Sequence, residues 1–154
     1  MRPRDRLSPT GVRLNLLARL VLVLSSVTFF ACGSSSSLAV RSLDKGSAVD
    51  RMANFTESIL AIIGRSGSSA EAIAAINDYC TAEVGNVGKI QAEVAALSED
   101  EATAFANQLG ERLRKIMDRA QTALEGKESL LSDMDVLTAS KACSPIPADW
   151  QPPQ

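Results

Sequence analysis

The chain predicts an all-α fold, an up-down antiparallel four-helix bundle, on three observations. From Val49 onward, apolar side chains recur at intervals of three and four residues almost without interruption. No stretch alternates apolar and polar residues as a half-buried strand would. The segments Ser68-x-x-Glu71 and Ser98-x-x-Glu101 each have the form of a capping box, in which a hydroxyl and a carboxylate satisfy backbone N–H groups at a helix start.

The first helix is expected from about Asp44 or Ser47 to Ile63, with Val49, Met52, Thr56, Ile59 and Ile63 on one stripe, widened by Phe55 and Ile62. Gly64 ends it and Arg65-Ser66-Gly67 is a loop. The second helix opens at Ser68 and places Ile73, Ile76, Cys80, Val84, Val87, Ile90, Val94 and Leu97 on its stripe. Gly85 and Gly88 interrupt it, and two glycines cost a helix about 1 kcal/mol each relative to alanine, so a kink or short break is expected there. The third helix starts at Ser98, buries Ala102, Phe105, Leu109, Leu113, Ile116, Ala120 and Leu124, and stops at Gly126. A fourth, Lys127 to Ala142, carries Leu130, Leu131, Met134, Leu137 and Thr138 on one side. Cys143-Ser144-Pro145 terminates it, and residues 146–154 form a proline-rich tail. Short connections between such helices favour antiparallel neighbours.

Ahead of these helices the composition changes. Arg2, Arg4, Arg6, Arg13 and Arg19 form a basic start, and residues 20–31 are uncharged and mostly apolar. As a helix those residues would rise about 18 Å, against a hydrocarbon core of roughly 30 Å, too short for a comfortable membrane span. Basic start and short apolar run together read as an export signal. The run closes on Phe29-Phe30-Ala31-Cys32-Gly33, followed by Ser34 to Ser37. This arrangement resembles the lipobox of bacterial lipoproteins. The resemblance implies that a signal peptidase cuts before Cys32 after its thiol receives a diacylglycerol, so that acyl chains hold the mature chain to an envelope membrane. The expected organisation is a cleaved signal over 1–31, lipidated Cys32 and a flexible tether over 32–46, a helical domain over 47–145 and the tail over 146–154. The location the resemblance implies is the bacterial cell envelope, on the periplasmic side or the cell surface, with the outer membrane as the expected site.

From Cys32 on there are 11 Lys and Arg against 17 Asp and Glu, a net charge of −6. That balance argues against nucleic acid, whose phosphates reward clustered cations. It also argues against electrostatic adhesion to anionic lipid, which leaves the acyl chains as the membrane attachment. With Cys32 consumed by lipidation, Cys80 and Cys143 remain as an even pair in a compartment where disulfides persist, and a bond between them is expected. It requires the end of the fourth helix, or its extension, to cross the waist of the second.

The chain has no histidine, which removes the commonest general base and metal ligand. Catalytic residues, a metal and a cofactor are therefore not expected. Glu99-Asp100-Glu101 suits the positive end of a helix dipole better than a cation. Asp78 and Glu83 flank Cys80 as the best remaining carboxylates, and Glu83 falls where the stripe wants an apolar residue. For an envelope protein partner the candidates are Trp150, the sole tryptophan, and the basic cluster Arg112, Lys115 and Arg119. Trp150 reads first as folding back onto the bundle, anchored through Cys143, with a short exposed docking motif as the sharper alternative. The cluster, with Arg114, reads first as a solvated face paired with Glu111 and Asp118, and a partner site is its alternative. Oligomeric state is not readable.

Leu97-Ser98-Glu99-Asp100-Glu101 also resembles, in relaxed form, the Leu-Thr-x-x-Gln motif of small periplasmic helical chaperones of the Spy and CpxP type. That resemblance implies a holdase as the alternative to an interaction or structural module.

Overall fold

The computed structural model describes residues 38–147 and Trp150. The export-type segment, Cys32 and the serine spacer lie outside the described residues. Those described contain five helices and no strand: α1 (Ala48–Arg65), α2 (Ser69–Ala95), α3 (Glu99–Ala123), α4 (Glu128–Leu131) and α5 (Met134–Ala142). The fold is all-α, as the periodicity requires.

Side-chain oxygens set the helix starts. Ser47 and Asp50 form a capping box at α1, Ser68 accepts from the Glu71 N–H at α2, and Ser98 with Glu101 forms the second complete box at α3. The expected fourth helix is divided in two. Asp133 accepts from the Asp135 and Val136 N–H groups, so it caps a new helix where a continuous one was expected.

Helix α1 lies at the centre and packs against both α2 and α3, while α5 packs on α2. Its burial shows why: Met52, Phe55, Ile59, Ile62 and Ile63 are joined below the surface by Arg51, Glu57 and Ser58 on other sides of the helix. An amphipathic helix exposes one face, whereas a helix buried nearly all round belongs between neighbours.

Cross-helix pairs give the directions. Asp50 meets Arg112 and Glu57 meets Arg119, so α1 and α3 run parallel. Ser69 bonds Asp133 and Cys80 meets Cys143, so α2 and α5 also run parallel. Arg51 pairs with Glu93 and Phe55 lies against Tyr79, so α1 and α2 run antiparallel. Directions thus alternate along the chain as expected, but the neighbours differ: α3 packs on α1 rather than on α2, and α5 packs on α2 rather than on α3. Gly64 permits part of this arrangement, because a Cβ there would stand 3.0 Å from the Ala123 carbonyl oxygen.

Three sequence expectations change. Val84 is 68 % exposed and Glu83, one position earlier, is buried, so the inner stripe of α2 runs Ala72, Ile76, Tyr79, Glu83, Val87, Ile90 and Val94. Helix α2 continues through Gly85 and Gly88 without a break; a Cβ at either would meet nothing within 4 Å. Finally, residues 38–46 are not free tether: Leu38 and Leu43 are buried in the core. The reason is spatial, since they pack along α1 as non-helical chain and carry no period to read.

Cys143 lies just beyond α5, and its alpha carbon stands 5.7 Å from that of Cys80, within the span of a disulfide. The structure joins the two sulfurs.

Because open space surrounds both α2 glycines, Gly85→Ala and Gly88→Ala should each raise stability by about 0.5–1 kcal/mol, read as a higher urea midpoint with an unchanged slope.

Candidate functional site

Polar chemistry concentrates on the α1–α3 face and along residues 38–46. At its centre is Glu57, whose side chain is 4 % exposed. Arg41 Nε approaches Glu57 Oε2 at 3.0 Å, and Arg119 approaches both oxygens at 3.2 and 3.3 Å. One carboxylate thus ties together the N-terminal segment, α1 and α3. Burial pushes the Glu57 carboxyl up, but the Arg41 hydrogen bond and the charges of Arg119 and Arg41 outweigh it and hold it below its ordinary value.

The backbone of Arg41 is held as firmly as its side chain. Its N–H donates to Ser58 Oγ at 2.9 Å, and the Tyr79 hydroxyl donates to its carbonyl at 3.1 Å. Burial pushes the Tyr79 phenol up to about 12, so it stays a donor at any physiological pH. Two residues on, the Leu43 N–H donates to Glu83 at 3.2 Å, and Asn86 donates to the same carboxylate oxygen at 2.8 Å. Arg65, the last residue of α1, donates to the Leu38 carbonyl at 3.1 Å. Glu83 therefore binds backbone within the fold, and Asp78 is exposed on the other side of α2.

The basic cluster separates into distinct roles. Arg119 is committed to Glu57, inside the fold. Arg112 pairs with Asp50 at 2.9 Å on the surface, where such a pair contributes little to stability. Lys115 is exposed and, with Asp50, Gln108, Glu111 and Arg112, lines a shallow cleft of about 290 Å³ at the start of α1. The partners of Arg112 and Arg119 are thus on α1 rather than the Glu111 and Asp118 of their own helix.

Trp150 is half-buried and meets Phe105 edge-on, with ring centroids 6.1 Å apart. Ser144, just past the disulfide, accepts from Gln91 at 2.8 Å, so the start of the tail is held on α2 while Trp150 reaches α3. Sequence reasoning missed Glu57 and Arg41 altogether. Their separations of 16 and 62 residues from their partners leave no local signature.

Among the described residues no group of three or more histidine, cysteine, aspartate or glutamate side chains is placed to hold a metal ion. No described helix is long and apolar enough to cross a membrane. No family model matches the chain, and no curated protein or solved structure is significantly similar to it.

The ionic centre generates an acid signature. With its native pKa depressed, Glu57 contributes its full stabilisation above its unfolded value near 4.3, and that contribution fades as pH falls through the native value. Glu57→Gln should cost about 2 kcal/mol at neutral pH, less than a fully buried pair because both arginines are partly exposed. The gap between variant and wild type should narrow below about pH 4, as followed by urea denaturation across pH.

Proposed function

We propose that the chain is a lipid-anchored, non-enzymatic lipoprotein of the bacterial cell envelope, acting as an interaction or structural module. The observation that carries this reading is the basic, apolar and lipobox-like succession ending at Cys32, set directly before an acidic helical domain. The acyl chains on Cys32 are its membrane attachment, and a second envelope protein is its partner. The pairing of Cys80 with Cys143 is in keeping with an oxidising compartment. A non-catalytic role is supported by the use of the two carboxylates buried among the described residues: Glu57 is occupied by arginines and Glu83 by backbone and Asn86.

Within this reading the surface offered to a partner is the cleft at the start of α1, with Arg112 and Lys115, rather than Arg119. Trp150 serves to hold the tail against α3. A holdase would instead need a broad apolar surface, and among the described residues the exposed large apolar side chains Val40, Val84 and Met134 lie on different segments.

Intact mass of the protein taken from its native membrane without reductant tests the anchor. The expected species begins at Cys32, carries acyl chains and shows two free thiols only after reduction; a lipid-free mass beginning elsewhere overturns the reading. Charge reversal of the cleft, Arg112→Glu with Lys115→Glu, should abolish co-purification of an envelope partner and leave thermal stability within about 0.5 kcal/mol of wild type. Suppressed aggregation of unrelated unfolded proteins by both wild type and variant would favour the holdase instead.

A further inference from the structure

The docked N-terminal segment determines how far the helical domain can stand from an anchor at Cys32. Were all of residues 33–46 free, the fifteen steps from Cys32 to Ser47 could extend to about 50 Å. With Leu38 buried and Arg41 fastened to Glu57, only residues 33–37 remain between anchor and domain, and they extend to about 20 Å at most.

The place where the described chain begins is equally defined. Leu38 is bonded to Arg65 at the C-terminal end of α1, and the segment then runs back along α1, past Ser58 and Glu57, to the cap at Ser47. The α1 end bearing Arg65 is therefore the end next to the anchor. It also carries the start of α2 and the start of α5, joined by Ser69 and Asp133. The cleft with Arg112 and Lys115 lies at the opposite end of α1, a helix of 18 residues and so about 27 Å long.

Of the three large apolar side chains exposed among the described residues, one belongs to the anchor end and a second lies between that end and the middle of α1. Met134 is 67 % exposed beside Asp133, and Val40 is 44 % exposed two residues after Leu38. Arg65 and Lys127 are also at the anchor end, alongside the acidic Glu71, Glu125 and Glu128. The balance of charge opposes deep embedding in an anionic surface, so the fit is to the headgroup layer.

We propose that residues 38–46 act as a strap that orients the domain on its membrane. The end formed by Arg65, Gly67, Ser129 and Met134 meets the lipid headgroups, and the Asp50–Arg112–Lys115 cleft is presented away from them. This rests on lipidation of Cys32.

The single tryptophan makes a test available. Trp150 sits against Phe105, in the second turn of α3, at the end of the domain away from Arg65. Full-length mature protein from its native membrane is reconstituted in phosphatidylcholine vesicles containing a headgroup nitroxide lipid. Wild-type emission from Trp150 should be nearly unchanged by the nitroxide. In a Trp150→Phe background, Met134→Trp should lose roughly half its emission or more, since about 20 Å of tether keeps that end at the surface. Ser129→Trp, at another exposed position of the same end, provides a second reporter should the first disturb folding. Inserting about ten Gly and Ser residues after Ser37 should reduce the quenching severalfold while the protein still floats with the vesicles.

Failure of the wild type to float overturns this proposal together with the lipidation reading beneath it. Floating protein in which both ends are quenched alike, or neither is, or in which the insertion changes nothing, overturns the orientation alone.

Discussion

The buried carboxylate of Glu57 is the constraint on which the rest of the structure depends. A lone charge at that depth would be expelled or neutralised, so its presence demands cations from outside its own helix. Arg41 and Arg119 supply them from opposite directions in the sequence. Satisfying one carboxylate therefore fixes the N-terminal segment on α1 and sets α3 parallel to α1 in a single register. The Asp50–Arg112 pair repeats that register two turns away, weakly and at the surface. Hydrophobic burial supplies most of the driving force for collapse, and it is indifferent to which neighbour covers a stripe. The ionic centre distinguishes among the coverings that burial alone would allow.

The second half of the fold is governed by a covalent link in place of a charge. Helix α5 has nine residues, too few to be stable alone, and only Val136 and Ala139 are buried on it. The Ser69–Asp133 hydrogen bond holds one end on α2, and the Cys80–Cys143 link holds the other. The tail continues from the link to Phe105, so that α2 and α3, which meet α1 on separate sides, are also joined by chain beyond the last helix.

The legible parts of this structure were those encoded locally. Ser68 and Ser98 announce helix starts because the capping contact spans three residues, and the inner positions of α3 follow directly from its period. Asp133 carried a comparable local signal, an N-cap residue before a helix start, but the apolar residues on either side read as one continuous stripe. Leu38 and Leu43 were hidden for a different reason: a non-helical segment that buries two side chains has no period to detect. Glu57 resembles any surface acid until its partners are known, and both lie beyond a helix's own reach. In α2 the positions Ile76, Val87, Ile90 and Val94 are legible, while Val84 looks a better core residue than the buried Glu83, which the fold uses as acceptor for the Leu43 N–H. Stripes state that a face is covered; they do not state by what, or in which direction the cover runs.

The path of residues 38–46 also determines how the molecule bears load. The segment leaves α1's Arg65 end and lies along the helix towards Ser47, so a pull on residue 38 away from the domain acts along the segment's length. Its attachments at Leu38, Arg41 and Leu43 are then stressed together in shear, rather than peeled apart one after another from a free edge. A domain held this way resists extraction by its N-terminus with the joint strength of a hydrophobic anchor, an ion pair and three backbone hydrogen bonds to Ser58, Tyr79 and Glu83.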